Sequence, residues 1–456
     1  MTKEKKILLV SANQFKIPYP VYPLGLSLIA TYLKQHLTGF DIKLFDFNLN
    51  GLDDFAACLK EYSPDYVGIS LRNIDDVNLY FKESFVGHYK NVVNVAKESC
   101  GAKIVIGGSG FSIFPESLYN LLSPDYGIVG QGEEAFFELV KGLEDNTSIS
   151  NVPGLIHKVD GRTVMNEKGG TAPCSYDFSL DYDDDLIDYY WTNSGMLNIQ
   201  TKRGCPKSCV YCTYPLIEGQ SVRTINADRV VDTLKYLYFK RGIDYMFFTD
   251  SIFNIDREYN YELAEKIIVS GVDIEWGAYF APHNLDKDLL KLLKQAGLAH
   301  IEFGTDSISD AQLKNYNKNF TVSDIIEASE LCNEIGIYFA HFLILGGYGE
   351  TEETIKETFD NSKKIDNSVF FPFVGMRIYP GTKLFHMLEG DGALSNADML
   401  LEPQFYVSDK FDQEAMKEKA IQTGKRWVFP DEDCSKVMEK MRKKNIKGPL
   451  WEFLVR

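Results

Sequence analysis

Along residues 1–145, short apolar runs alternate with amphipathic stretches in the rhythm of a parallel α/β sheet with helical crossovers. Strands are predicted at Ile7–Val10, Ile42–Phe45, Tyr66–Ser70, Lys103–Ile106 and Tyr126–Val129. Apolar residues recur at helical spacing over Leu24–Leu37, Asp53–Tyr62, the second half of Arg72–Ser99, and Pro115–Leu122. Five strands with crossovers make a doubly wound, Rossmann-like domain. In such a sheet ligands sit beyond the carboxyl ends of the strands, which singles out the loops Ser11–Pro20, Ser70–Asp76, Gly107–Ser112 and Gly130–Glu133.

Residues 146–190 break the rhythm. Gly154–His157 and Thr163–Met165 read as a hairpin, and Tyr176–Tyr190, with six aspartates, reads as a solvated linker. From Gly195 the alternation restarts, with strands near Leu197–Thr201, Met246–Thr249, Glu275–Tyr279, His300–Gly304, Ile337–Leu345 and Phe370–Ile378. Helices are predicted between them at Ala227–Lys240, Glu258–Ser270, Lys287–Ala296, Ser323–Glu334 and Glu352–Ile365. Six βα repeats are too few for a closed eight-stranded barrel, so residues 191–385 are expected to form a partial (β/α)6 barrel with an open side. Residues 386–456 read as a mostly helical tail. Its segment Lys436–Lys447, with six basic residues, fits a solvated helix as well as a binding patch.

A chain of 456 residues accommodates this plan of two large domains and a tail. The 48 Lys and Arg against 65 Asp and Glu, a net charge of −17, give a field that repels nucleic-acid backbones and anionic membranes. No apolar run is long enough for membrane insertion, and the one at the N-terminus is too short for a signal peptide, so a cytoplasmic protein is expected. Eight cysteines are too few for a disulfide scaffold, yet three of them fall within eight positions.

That cluster, Cys205-Pro206-Lys207-Ser208-Cys209-Val210-Tyr211-Cys212, has the spacing CxxxCxxC just past the first strand of the second domain. Three thiolates on one loop can hold three irons of a [4Fe-4S] cubane and leave the fourth open to another ligand. Zinc is the main rival, but structural zinc sites close with four ligands, and the next Cys or His along the chain is His283.

CxxxCxxC opening a six-fold βα half-barrel resembles the radical S-adenosylmethionine (SAM) enzymes. Thr201-Lys202-Arg203-Gly204-Cys205-Pro206 is similar to the entry sequence of the subgroup with an N-terminal cobalamin-binding domain. The resemblance covers the chain to about residue 385. It implies that Cys205, Cys209 and Cys212 hold the cluster, whose open iron chelates SAM, and that one electron from the cluster cleaves SAM to a 5′-deoxyadenosyl radical. It also places Tyr211 near adenine, Asp250 in Thr249-Asp250-Ser251 near the methionine ammonium, and Asp306 and Ser307 in Phe303-Gly304-Thr305-Asp306-Ser307 at the fourth strand end. Many relatives carry Glu where Asp306 stands, so its reach is one carbon shorter. Gly346 and Gly347 follow the fifth strand, where glycine permits close backbone approach to a ligand, and Arg377-Ile378-Tyr379-Pro380-Gly381-Thr382 closes the sixth.

The first domain lacks GxGxxG after its first strand, which weighs against NAD. Ser70 and Leu71 at the third strand end, followed by Arg72, and Gly107-Gly108-Ser109-Gly110 at the fourth resemble the elements that admit the nucleotide tail of cobalamin in B12-binding folds; Gly130, after the fifth, belongs to the same rim. The Asp-x-His-x-x-Gly motif that supplies a lower cobalt ligand is absent, because the first loop reads Ser11-Ala12-Asn13-Gln14-Phe15. Base-off cobalamin without histidine ligation is therefore expected. Methylthiotransferases join similar domains but need three further cysteines, and the first domain has only Cys58 and Cys100; a C-terminal auxiliary cluster is equally unsupported by the single Cys434.

The resemblance implies a cobalamin-dependent radical SAM methyltransferase acting on an unactivated carbon of a small molecule, fed by an electron donor such as flavodoxin or ferredoxin. The alternative keeps the cofactors but performs a rearrangement, cyclisation or oxidation. A non-catalytic corrinoid carrier would need no open iron. Tyr279, Phe280 and Phe371 are candidates for an aromatic lining, and His283 for an acid or base.

Overall fold

The structure is a computed structural model that describes residues 4–167, 179–390, 400–430 and 435–455. The first sheet has the order β2-β1-β3-β4-β5-β6-β7, where β1 is Lys5–Ser11, β2 Phe40–Asp46, β3 Tyr66–Ser70, β4 Lys103–Gly107, β5 Tyr126–Ile128, β6 Leu155–Val159 and β7 Arg162–Met165. The first five strands are parallel. The order turns at β1/β3, which places the loops after these strands around one crevice.

Two features extend this domain beyond the sequence-based expectation. The hairpin β6–β7 is no free linker: it adds to β5 in antiparallel register, Gly127 opposite Ile156, and covers the edge that a three-residue strand would expose. A helix, Glu133–Glu144, follows Gly130 and packs Phe136, Leu139 and Val140 onto the sheet. Two acidic residues in its first turn suit the helix dipole. The loop after β4 also becomes helical at once, over Ser109–Ile113.

The acidic connector differs as well. Tyr176–Phe178 lie outside the described residues, but Asp184–Ser194 form a helix capped by the Asp183 side chain on the Leu186 amide. Leu186, Ile187 and Tyr190 are buried, because the aspartates cluster at the N-terminus and leave an apolar face.

The second sheet is parallel throughout, in the order β18-β15-β14-β13-β12-β11-β8. β8 is Leu197–Ile199, β11 Tyr245–Phe248, β12 Glu275–Phe280, β13 Leu298–Asp306, β14 Tyr338–Leu345 and β15 Ser368–Val374. These six are the expected repeats. The seventh, β18 (Arg426–Trp427), comes from the segment read as helical; its apolar Trp427 stacks on Phe370 at the open edge. The expected last strand breaks at Gly375 (φ +69°), after which β16 (Met376–Arg377) pairs with β17 (Phe405–Tyr406). A small ribbon, β9 (Lys202–Arg203) with β10 (Arg223–Thr224), flanks the cysteine loop. Helices cover the outer face of the sheet over a core containing Phe248, Trp276, Ile301, Phe303 and Phe339.

The basic tail segment forms a helix, Ser435–Lys443, that buries Met438 and Met441 and leaves its lysines to solvent. Cys434 lies outside the described residues.

Candidate functional site

The cysteine loop begins where β9 ends. Gly204 (φ +89°) turns the chain there, and a Cβ on it would overlap the Ser221 carbonyl. The Gly204 amide donates to Glu218 Oε2 (3.0 Å) and the Cys205 amide to the Gly219 carbonyl (3.0 Å). Further on, the Val210 amide donates to the Tyr316 carbonyl (3.2 Å), and Asn317 donates to Ser208 (2.8 Å). Cys205 is buried and Cys209 and Cys212 are half-buried. Burial raises the Cys209 thiol and pushes Cys212 up to about 12.

Asp250, expected near the methionine ammonium, is saturated by the protein. It accepts from the Thr201 and Lys202 amides (2.6 and 2.9 Å) and the Thr201 hydroxyl, and it pairs with Lys202 Nζ at 3.2 Å. Lys202 also donates to Asn260 Oδ1 (2.8 Å) and lies over the Phe253 ring (4.2 Å). Burial pulls the Lys202 ammonium down, although Asp250 opposes the shift. This closed cluster fixes the strand entering the cysteine loop.

Other expected contacts with SAM are also engaged within the protein. Tyr211 donates to Asp306 Oδ2 (2.5 Å), and Asp306 pairs with Lys318. Asp306 holds a positive φ of 62° for this contact. Burial pulls the Lys318 ammonium down, but Asp306 and the nearby thiols outweigh it and hold it above the ordinary lysine value. Ser307 bonds Thr358 Oγ1 (3.2 Å). A Cβ on Gly346 would press on Phe411 at 3.1 Å, and one on Gly347 would overlap the Tyr316 hydroxyl, so these glycines accommodate neighbouring side chains. Phe280 faces the helices, stacked on Phe253, whereas Tyr279 and Phe371 face the other way. His283 bonds Asn319 (3.0 Å) and stacks on Phe320.

Between the two domains lies a cavity of about 650 Å³. Ser70, Arg72, Gly107, Gly108, Ser109 and Gly130 line it from the first domain. Gln200, Arg203, Tyr214, Ile217, Glu218 and Thr249 line it from the second. Leu71 and Gly110 stand behind it, joined by the Gly110 amide on the Leu71 carbonyl (2.8 Å). A Cβ on Gly108 would lie 2.8 Å from that same carbonyl oxygen, so the glycine lets the two loops nest and does not by itself open a slot. Gly130 differs: the nearest atom to a Cβ there is 3.9 Å away. The space left free is at Gly130.

Two buried ion pairs lock the domains around this cavity. Arg203 meets Glu133, and Arg377 Nε meets Asp75 Oδ2 at 2.8 Å, with Arg377 also donating to the carbonyls of Ile378 and Leu400 (both 2.6 Å). Neither pair is readable locally, since the partners are 70 and 302 residues apart.

A family model described as the radical SAM superfamily matches residues 199–361, and one described as a B12 binding domain matches residues 11–140. The chain belongs to the cobalamin-binding radical SAM family. It is 27% identical over 370 residues to an uncharacterized methyltransferase of Pyrococcus horikoshii, covering 80% of this chain and 77% of that one. It is 25% identical over 448 residues to a tryptophan 2-C-methyltransferase of Streptomyces laurentii, with 83% and 74% covered. Its fold matches that of the radical SAM methyltransferase TsrM from Kitasatospora setae, solved with cobalamin and a [4Fe-4S] cluster, at a TM-score of 0.86 and 22% identity, covering 98% and 97% of the two chains.

The residues of this family member fit the groups the family uses. Among the described residues no three His, Cys, Asp or Glu side chains are gathered to hold a metal ion. A single zinc draws its sulfurs to roughly 2.3 Å from one point, whereas a cubane seats each thiolate on a different iron and spreads them. Three free thiols on one loop match the three protein ligands of such a cubane. In the cavity, Asn13 Nδ2 is buried with no partner and no described residue accepts from the Arg72 guanidinium, which leaves two donors for the amide rim and phosphate of a corrinoid. No histidine lines the cavity among the described residues.

Proposed function

We propose that the protein is a cobalamin-dependent radical SAM methyltransferase that methylates an unactivated carbon of a small molecule. Cys205, Cys209 and Cys212 hold the cluster, and the inter-domain cavity holds cobalamin, with Asn13 and Arg72 as donors and Gly130 as the opening. When bound, the cluster with SAM supplies one-electron chemistry and cobalamin supplies a methyl carrier. The carrying observation is that one cavity is lined both by the loops after β3, β4 and β5 and by Gln200, Arg203 and Glu218 beside the cysteine loop.

The chain's own residues position and seal. Asp250 and Lys202 fix the strand before the loop, and Tyr211, Asp306 and Lys318 fix its far side. Arg203–Glu133 and Arg377–Asp75 hold the two domains at a set spacing, so a group carried by one faces a substrate held by the other. Leu24, Ile29, Ile106 and Phe136 give the cavity apolar walls that exclude water. No helix among the described residues is long and apolar enough to cross a membrane. We place the reaction in the cytoplasm, with flavodoxin or ferredoxin as the electron donor. Incubating the reconstituted enzyme and a cell extract of small molecules with methyl-deuterated SAM tests the reading. A product carrying the labelled methyl group supports it; an unlabelled product formed with consumption of SAM favours a rearrangement, cyclisation or oxidation.

A further inference from the structure

The inner face of the second sheet carries a buried carboxylate, Glu302, on an aromatic wall. Ile301 and Phe303 point outward into the helix-covered core, so Glu302, between them on β13, points inward. On the same inner face, Phe342 stacks on Phe371 (5.1 Å) and lies near Phe373 (6.2 Å), while Tyr279 packs edge-on against Phe247 (4.9 Å). This wall is open: Tyr279 is 39% and Phe373 45% exposed. Glu302 is only 5% exposed. Trp451, from the C-terminal turn Leu450–Leu454, donates to its Oε1 at 3.0 Å, the one hydrogen bond Glu302's side chain makes among the described residues. The adjoining His300, Tyr245 and Glu452 bond one another, with Tyr245 donating to Glu452 Oε1 (2.6 Å) and lying 2.7 Å from His300 Nδ1. His300 draws the Glu302 carboxyl down and Glu452 pushes it up, and no lysine or arginine among the described residues pairs with Glu302.

A buried carboxylate beside aromatic rings is costly unless a cation meets it, and aromatic faces attract the same cation. From this juxtaposition we infer that Glu302 anchors the substrate, that the substrate class is a positively charged amine on an aromatic or comparably apolar body, and that Trp451 is a positioning residue that aims the carboxylate. The inference rests on the reading that substrate meets the inner face of the second sheet. Burial raises the Glu302 carboxyl, as expected for a group awaiting its counter-charge.

The test uses holoenzyme and three matched probes: 2-phenylethylamine, neutral 2-phenylethanol and anionic 3-phenylpropionate, with binding measured by saturation-transfer NMR and titration calorimetry. The amine is expected to bind at least about tenfold more tightly than either analogue. Glu302→Gln should abolish the preference while iron content and melting temperature stay unchanged. Trp451→Phe, which keeps the ring and removes the donor, should weaken the preference without changing affinity for the alcohol. No saturable binding of the amine, equal affinity for all three probes, or a preference that survives in Glu302→Gln overturns the inference. Because the readout is binding, it is separable from methyl transfer: an amine preference lost in Glu302→Gln, together with an unlabelled product, would overturn the methyltransferase reading alone.

Discussion

Arg203 and Glu133 form a sealed two-point ion pair, Nη2 to Oε1 at 2.9 Å and Nη1 to Oε2 at 3.4 Å, that joins the residue two before Cys205 to the first turn of the helix following Gly130. One contact thus ties the cluster loop to the rim of the cobalamin-type cavity. Removing one partner strands a buried charge, so Arg203→Leu should lower stability by about 3–5 kcal/mol. Arg203→Leu with Glu133→Leu should recover much of that loss, because an apolar pair leaves no charge unmet. Thermal denaturation of the single and double variants checks this; an unchanged melting temperature in Arg203→Leu would mean that the pair does not hold the domains.

Asp250 offers a test between positioning and direct binding. Asp250→Asn leaves the buried Lys202 without its counter-charge and should cost about 3–5 kcal/mol, with lower iron retention because the loop entry loosens. A carboxylate that bound the SAM ammonium directly would instead give normal melting and normal iron with a raised SAM dissociation constant. Calorimetry of SAM binding beside a melting curve separates the two.

With no histidine lining the cavity among the described residues and cobalamin expected base-off, the electronic signature of the bound cofactor is predictable. Electron paramagnetic resonance of the cob(II)alamin form should lack the nitrogen superhyperfine splitting that an axial nitrogen produces. Splitting in that spectrum would place a nitrogen ligand on cobalt and contradict the cavity as described.

What was legible in the sequence was what is encoded locally. The parallel strands and their helices follow from periodicity, and the CxxxCxxC spacing stands out because three thiols share one short loop. Long-range partners were not legible. Asp250, Asp306, Ser307, Gly346 and Gly347 sit at strand ends where a ligand contact is a natural expectation, yet each is engaged by a residue remote in sequence, as Asp306 is by Tyr211, 95 positions away. Gly108 and Gly130 look alike as letters, and only the atoms around them separate a packing glycine from an open one. β18 and the Leu450–Leu454 turn leave no mark in the sequence pattern, because two-residue strands and single turns carry no period.

The central claim, two cofactors held by separate residues around one chamber, is tested most directly by measuring iron and cobalamin content in two variants. Wild type, reconstituted anaerobically, should hold about four irons and one cobalamin per chain. The triple variant Cys205→Ala, Cys209→Ala, Cys212→Ala should lose the iron and keep the cobalamin. Gly130→Trp, which fills the open part of the cavity at the cost of about 1–2 kcal/mol of strain at its positive φ, should lose the cobalamin and keep the iron. Iron persisting in the triple variant, or cobalamin persisting in Gly130→Trp, would contradict the assignment.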